Sequence, residues 1–223
     1  MSKLDEAEIL LENREEDHPA NLERARDLFI EGKDEDEPAS WTGLAETYFW
    51  LGEYASSNDV KETNHSKGVE AGKKAVTLAS SWVDAHLWYA ANMGSHGVVR
   101  GIMSSLFYLK DLERHGKLAM EIDEAYFYGA PLRLMGRFYH QCPGWPIGAG
   151  DIKKSITLLE KAVETGPDFI LNHVYLAEAY MAKKRKSDAQ KVLEKTKEVQ
   201  APEGLEVYHK MIQKQVQELS AKV

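Results

Sequence analysis

Apolar residues recur along this chain at steps of three and four, the period of one helical face, and nowhere alternate at the period of two that a half-buried strand requires. Residues 203–221 show the pattern, with Leu205, Tyr208, Ile212, Val216 and Leu219 on one stripe and Glu206, Lys210 and Gln217 on the other. No hairpin dipeptide separates two apolar runs. Pro19, Pro38, Pro167 and Pro202 punctuate the periodic stretches where helices are expected to begin. The pattern predicts an all-α protein built from helices of about 12–20 residues.

The helices also repeat. A tetratricopeptide helix pair carries a large residue, then Leu-Gly or Leu-Ala three and four positions later, then Tyr after two more. Trp41-x2-Leu44-Ala45-x2-Tyr48 fits, as do Leu132-x2-Met135-Gly136-x2-Tyr139 and His173-x2-Leu176-Ala177-x2-Tyr180. Leu87-x2-Ala90-Ala91-x2-Gly94 is a degenerate fourth copy. In this pattern the small residue lets the second helix approach and the large ones fill the groove between helices. The reference positions fall at 48, 94, 139 and 180, so the gaps are 46, 45 and 41 residues instead of the usual ~34. The units therefore contain insertions. One sits between Tyr48 and a second helix near 60–79, another is the loop 141–150 ahead of a helix over 151–165. The expected architecture is a TPR-like array wound as a right-handed superhelix in a single domain. It divides into an acidic helical cap (1–37), repeats (38–200) and a C-terminal capping helix (201–223).

Charge sharpens this picture. The 223 residues carry 28 bases and 36 acids, a net charge of −8, but residues 1–40 hold 14 acids and 5 bases, leaving the remainder at +1. The acidity thus belongs to the cap, as a solvated face with the turn Asp34-Glu35-Asp36-Glu37. The balance argues against a general nucleic-acid or anionic-membrane binder. The basic run 183–186 ends a helix, where it complements the helix dipole, and lacks the interleaved aromatics of a nucleic-acid site. No stretch reaches the ~18–20 apolar residues of a membrane span. The N-terminus lacks the basic and apolar regions of a signal peptide. The chain reads as cytoplasmic, or as periplasmic had an export signal been removed.

Candidate chemistry is sparse. Cys142 is the lone cysteine, which excludes an internal disulfide and CxxC sites. The histidines form no HExxH and no metal-spaced pair with a carboxylate. His140 beside Cys142 lacks an orienting third group in sequence, so catalysis there is disfavoured. The loop Cys142–Gly150 ahead of Asp151-Ile152-Lys153-Lys154-Ser155 superficially imitates a P-loop but follows a helix instead of a strand, and Asp151 reads as an N-cap. No cofactor or metal is expected, and the chain is read as a non-enzyme. The segment 93–109 combines three glycines with Ile102, Met103, Leu106, Phe107, Tyr108 and Leu109. It is apolar over so wide an arc that it predicts core, or else a channel wall or subunit interface.

Repeat geometry supplies the most useful constellation. First helices line the concave face of such arrays, which places Phe49 and Trp50, then Trp88, Asn92 and His96, then Arg133, Arg137 and His140, and finally Glu178 and Met181 along a groove. The candidate ligand-binding set is Trp50, Trp88, Asn92, His96, Arg133, Arg137, His140 and Asn172. Tryptophans would give apolar contact, the asparagines would orient, and the arginines would hold an anionic group. The bland alternative is that the tryptophans are core and the arginines pair with acids or helix C-termini. A plain protein scaffold reading peptide segments is the competing function. Association into a homo-oligomer is left open by the sequence.

Over residues 40–200 the chain resembles the TatT-like T-component proteins associated with TRAP transporters. The resemblance rests on Tyr48-Phe49-Trp50-Leu51-Gly52-Glu53-Tyr54, the stretch Trp88–Gly94, Tyr128–Tyr139, Pro143-Gly144, Gly150-Asp151, Lys154–Ala162 and Asn172–Tyr180. It implies an all-helical, non-catalytic binding protein beside a solute-binding receptor, handling a hydrophobic or carboxylate-bearing ligand. A weaker similarity to eukaryotic regulators of microtubule dynamics implies a cytoplasmic scaffold instead.

Overall fold

A computed structural model describes residues 1–223 apart from Ile102 and Ser104. The fold is all-α, with no strand among the described residues. Packing groups the chain into two compact units, residues 1–122 and 123–223. The first takes α1 (Lys3–Glu12), α2 (Ala20–Glu31), α3 (Glu37–Glu53), α4 (Asn58–Leu78), α5 (Val83–Arg100) and all but the end of α6 (Leu109–Asp123). The second holds α7 (Tyr126–Gln141), α8 (Ile152–Thr165), α9 (Ile170–Ala182), α10 (Lys186–Lys195) and α11 (Glu206–Ser220). Within the first unit α3 packs on both α4 and α5, and within the second α9 packs on α8, α10 and α11.

Local chemistry sets the helix starts. Ser2 and Asp5 form a reciprocal capping box on α1. Asp36 accepts from Ala39 N–H ahead of α3, whose first turn contains Pro38. Ser57 caps α4 and Asp151 caps α8 through the N–H groups of Lys153 and Lys154, the role expected of it. The inserted second helix near 60–79 is α4, and the loop 141–150 precedes α8 as expected.

The repeat motif works by close approach. Leu44 and Ala45 are buried on α3, and Leu176 and Ala177 on α9. A Cβ on Gly136 would lie 2.5 Å from Leu159 Cγ, so α7 and α8 touch there only because the motif supplies glycine. On α4, a Cβ on Gly72 would fall 2.7 Å from Tyr89 Cα, which lets α5 run against bare backbone. In the second unit Ile156, Leu159, Leu176, Tyr180, Ala189 and Leu193 form a continuous core over α8, α9 and α10.

One region departs from the sequence reading, and a second carries a turn on which the sequence reading is silent. The apolar segment 93–109 is not one buried helix. Gly101 (φ 92°) ends α5, and a 3-10 stretch over Ile102–Tyr108 follows. The tighter 3-10 spacing rotates successive side chains differently from an α-helix. Met103 and Phe107 are left 66% and 64% exposed, while Ile102 lies outside the described residues. That turn lies at the start of α7. Phe127, Tyr128 and Gly129 take positive φ in succession (44°, 59° and 72°), so the regular helix begins after them and Pro131 falls in its first turn. Left-handed backbone costs about 1–2 kcal/mol at each non-glycine residue, so neighbouring groups must hold this turn in place.

Candidate functional site

The residues read from the sequence as a binding set fall into two groups, one in each unit. In the first unit Trp50 on α3 and Trp88 on α5 are both buried, with ring centroids 6.1 Å apart and Phe49 touching each at 5.3 and 5.2 Å. The Trp50 indole N–H donates to Glu46 Oε1 at 3.1 Å. Asn92 is fully buried, and its amide donates to the carbonyls of Ala45 and Trp88, both at 2.8 Å. With both amide hydrogens used, Asn92 Oδ1 faces His65 Nδ1 at 3.3 Å as an acceptor. Asn92 therefore bridges α3, α4 and α5. His96 is buried, with Nδ1 2.9 Å from the Tyr108 hydroxyl and Nε2 3.9 Å from Glu62.

In the second unit the arginines already have partners. Arg133 is buried, with its Cζ 4.2 Å over the Phe169 ring and Nη1 donating to Asn172 Oδ1 at 2.9 Å and to Tyr128 O at 3.3 Å. Burial pulls its guanidinium down to about 10, which still leaves it charged at neutral pH. Asn172 is fully buried, and its Nδ2 lies 3.0, 3.0 and 2.8 Å from Tyr128 O, Ala162 O and Gly166 O, so its two amide hydrogens are shared among three carbonyls. Together the two side chains hold the left-handed turn. Gly166 completes the arrangement, because a Cβ there would sit 2.3 Å from Tyr128 O. Arg137 is different. It pairs with Glu178, lies 4.3 Å over the Tyr175 ring, and keeps its side chain 24% exposed. With its amide oxygen turned toward the guanidinium, Gln141 accepts from Arg137 Nε and Nη2 at 3.0 and 2.7 Å. His140 is half-buried with no hydrogen-bond partner at Nδ1, and burial followed by the Arg137 charge lowers its pKa.

Some organising groups carried no sequence signal, because their partners are distant along the chain. Arg14, from the turn between α1 and α2, lies under Trp50 and beside Glu46. His86 and His115, on α5 and α6, meet Nδ1 to Nδ1 at 2.7 Å, and His86 Nε2 lies 2.9 Å from Ser80 O. A proton on His86 Nε2 for Ser80 leaves His86 Nδ1 as acceptor, so the shared hydrogen belongs to His115. Among the described residues no cluster of His, Cys, Asp and Glu could hold a metal ion. No described helix is long and apolar enough to cross a membrane.

Burial pushes both His65 and His115 down to about 4. A histidine whose folded pKa lies below its unfolded ~6.5 binds its proton more readily when unfolded, so it weakens the fold as pH drops from ~6.5 toward 4. Glu46 and Asp84, raised by burial, act in the opposite sense near the carboxylate range. Urea unfolding should show the first unit losing about 2–4 kcal/mol between pH 7 and pH 5. His65→Gln with His115→Gln should flatten that slope. An unchanged slope in the double variant would assign the loss to other groups.

Comparison with known proteins identifies the family. The model for regulator of microtubule dynamics protein 1-3 matches residues 3–143, more than half of the chain, and a tetratricopeptide repeat model matches residues 147–211. No curated protein matches the sequence. Among solved structures, TTC0263, a thermophilic TPR protein of Thermus thermophilus, is similar with a TM-score of 0.61 and 19% identity, covering 86% of this chain and 90% of that one. MamA is similar with a TM-score of 0.54 and 17% identity, covering 87% and 92%. These likenesses support the TPR fold. The resemblance to TatT-like T-component proteins is corrected by the family match. Much of what carried it, such as Trp50, Trp88, Met135, Gly136, Leu176 and Ala177, is packing shared by helix-pair repeats. The solute-receptor role inferred from it falls with it. The chain belongs to the family of regulator of microtubule dynamics proteins 1-3, and it carries that family's match on an all-helical, TPR-like fold.

Proposed function

We propose that this protein is a non-catalytic scaffold that binds a partner protein of the microtubule system, acting in the cytoplasm. The observation that carries the reading is the match of residues 3–143 to a family described as regulators of microtubule dynamics. The helix-pair fold is consistent with it, since such arrays present extended faces to partner chains. Of the residues picked out by sequence, Arg137 is the one best suited to meet a partner in the second unit. It is charged, partly exposed, backed by Tyr175 and bordered by the half-buried His140. A partner carboxylate would dock by exchanging with Glu178 at Nη1 of the guanidinium. An organic-acid ligand would use the same point.

Co-sedimentation with polymerised tubulin tests this. The full chain is expected in the pellet, and Arg137→Ala is expected to bind about tenfold more weakly, the loss of one charged hydrogen bond. Retention of all the protein in the supernatant would overturn the microtubule reading. Unchanged binding by Arg137→Ala would remove Arg137 from the interface.

A further inference from the structure

We propose that the Trp50, Trp88 and Glu46 pocket is a receptor for an arginine side chain of a partner protein, and that Arg14 occupies it as an internal competitor. The inference rests on the reading of this protein as a protein-binding scaffold.

The pocket has the parts that recognise a guanidinium. Trp50 and Trp88 offer aromatic surface, with Phe49 packed against both. Glu46 supplies the carboxylate, its side chain only 16% exposed and fixed by the Trp50 indole N–H. Cations bind over tryptophan faces more strongly when water is excluded, and a carboxylate beside the ring adds charge and hydrogen bonding. Burial raises the Glu46 pKa and the Arg14 charge opposes that shift, so the carboxylate depends on a cation nearby.

Arg14 fills the pocket without fitting it well. Its guanidinium carbon lies 4.7 Å from the centre of the Trp50 ring, and Nη2 is 3.6 Å from Glu46 Oε1. That contact is longer than the ~2.7–2.9 Å of a charged hydrogen bond. The Arg14 Nε is buried with no hydrogen-bond partner at all. A guanidinium that can enter at its own angle would take two parallel bonds to the carboxylate, where Arg14 takes a single long contact.

The competitor is also carried on a segment suited to leaving. Arg14 belongs to the turn between α1 and α2 and not to a helix. The turn is held by the Tyr54 hydroxyl on Glu15, by His18 against the Tyr54 ring at 4.6 Å and by Asn21 Nδ2 on Asn13 O at 2.8 Å. Helix α1 itself buries only Leu4, Ala7 and Leu11. Displacing the turn would take Arg14 off the Trp50 ring and away from Glu46, the two groups it touches.

The test uses the full chain with Arg14→Met, which keeps the aliphatic packing of the side chain and removes its charge. Ethylguanidinium and the peptide acetyl-Gly-Arg-Gly-amide are the probes, with urea as the uncharged control. In Arg14→Met, ethylguanidinium is expected to shift the indole N–H resonances of Trp50 and Trp88 saturably, with a Kd of about 1–10 mM, and to raise the Tm by about 2–4 °C. The peptide should bind Arg14→Met at least about tenfold more tightly than the wild type, because competition by Arg14 is gone. Adding Glu46→Gln should abolish both effects. A folded Arg14→Met, checked by circular dichroism, that responds to ethylguanidinium only as it does to urea overturns the proposal. If Arg14→Met does not fold, titration of the wild-type chain with the peptide decides the matter: saturable shifts of both indoles support the proposal, and their absence overturns it. Guanidinium binding without co-sedimentation leaves this pocket standing and removes the microtubule reading. Co-sedimentation without guanidinium binding does the reverse.

Discussion

Asn172→Ala should lower the stability of the second unit by about 3–5 kcal/mol, read as a shift in the urea midpoint at constant slope. The size follows from what the amide does. It is fully buried, its two amide hydrogens are shared among three carbonyls, and its oxygen accepts from Arg133. Each of those carbonyls keeps one other donor, Arg133 on Tyr128 O, Gly166 N–H on Ala162 O and Phe169 N–H on Gly166 O. Alanine therefore loses the amide's own bonds, at about 0.5–1.5 kcal/mol each. It also strips the closest neutral partner from a buried guanidinium, which is the costlier loss. The left-handed turn at Phe127 and Tyr128 then loses one of the two side chains that hold it, and the other, Arg133, loses its own anchor. Asn172→Asp is the informative companion. It keeps an acceptor for Arg133 but turns a charged oxygen toward the carbonyls, so it should also destabilise. A loss below about 1 kcal/mol for Asn172→Ala would mean that water replaces the amide.

Trp50→Ala should cost the first unit about 3–5 kcal/mol, the usual range for removing a large buried aromatic. Trp50 is 1% exposed and packs against Phe49, Tyr54 and Trp88. Its loss also removes the indole bond to Glu46 and the aromatic surface under Arg14. Trp50→Phe should recover much of the packing but not the Glu46 bond, so it should fall between the wild type and alanine. If phenylalanine proves as damaging as alanine, the hydrogen bond to Glu46 outweighs the packing. If both variants stay within about 0.5 kcal/mol of the wild type, Trp50 is not a core residue of this unit.

These two experiments bear on how a binding site can be read from a repeat sequence. Trp50, Trp88, Asn92, Arg133 and Asn172 stood out because large, amide and cationic side chains recur at first-helix positions. The structure gives each a partner within its own unit. Repeat helices place both their packing residues and their surface residues at the same 3.6-residue period, so spacing marks the helix face without separating the two roles. Arg137 differs from Arg133 by one helical turn. Arg133 is enclosed by Phe169 and Asn172, whereas Arg137 reaches a more open edge beside Tyr175 and Glu178.

Sequence alone determined what depends on near neighbours in the chain. The 3.6-residue period specified helices, and Asp151 marked the start of α8. The small residues of the Leu-Ala and Met-Gly pairs fixed where second helices approach, because side-chain size is a local property. Tertiary structure alone decided the pairings made across long stretches of chain. Arg14 meets Glu46, His65 meets Asn92, His86 meets His115, and Arg133 meets Asn172. It also decided that Met103 and Phe107 face outward, since one positive φ at Gly101 redirects everything after it. The physical reason is range. Period, caps and turn residues act over a few positions, whereas the desolvation and partnering of a polar side chain depend on which helices arrive beside it.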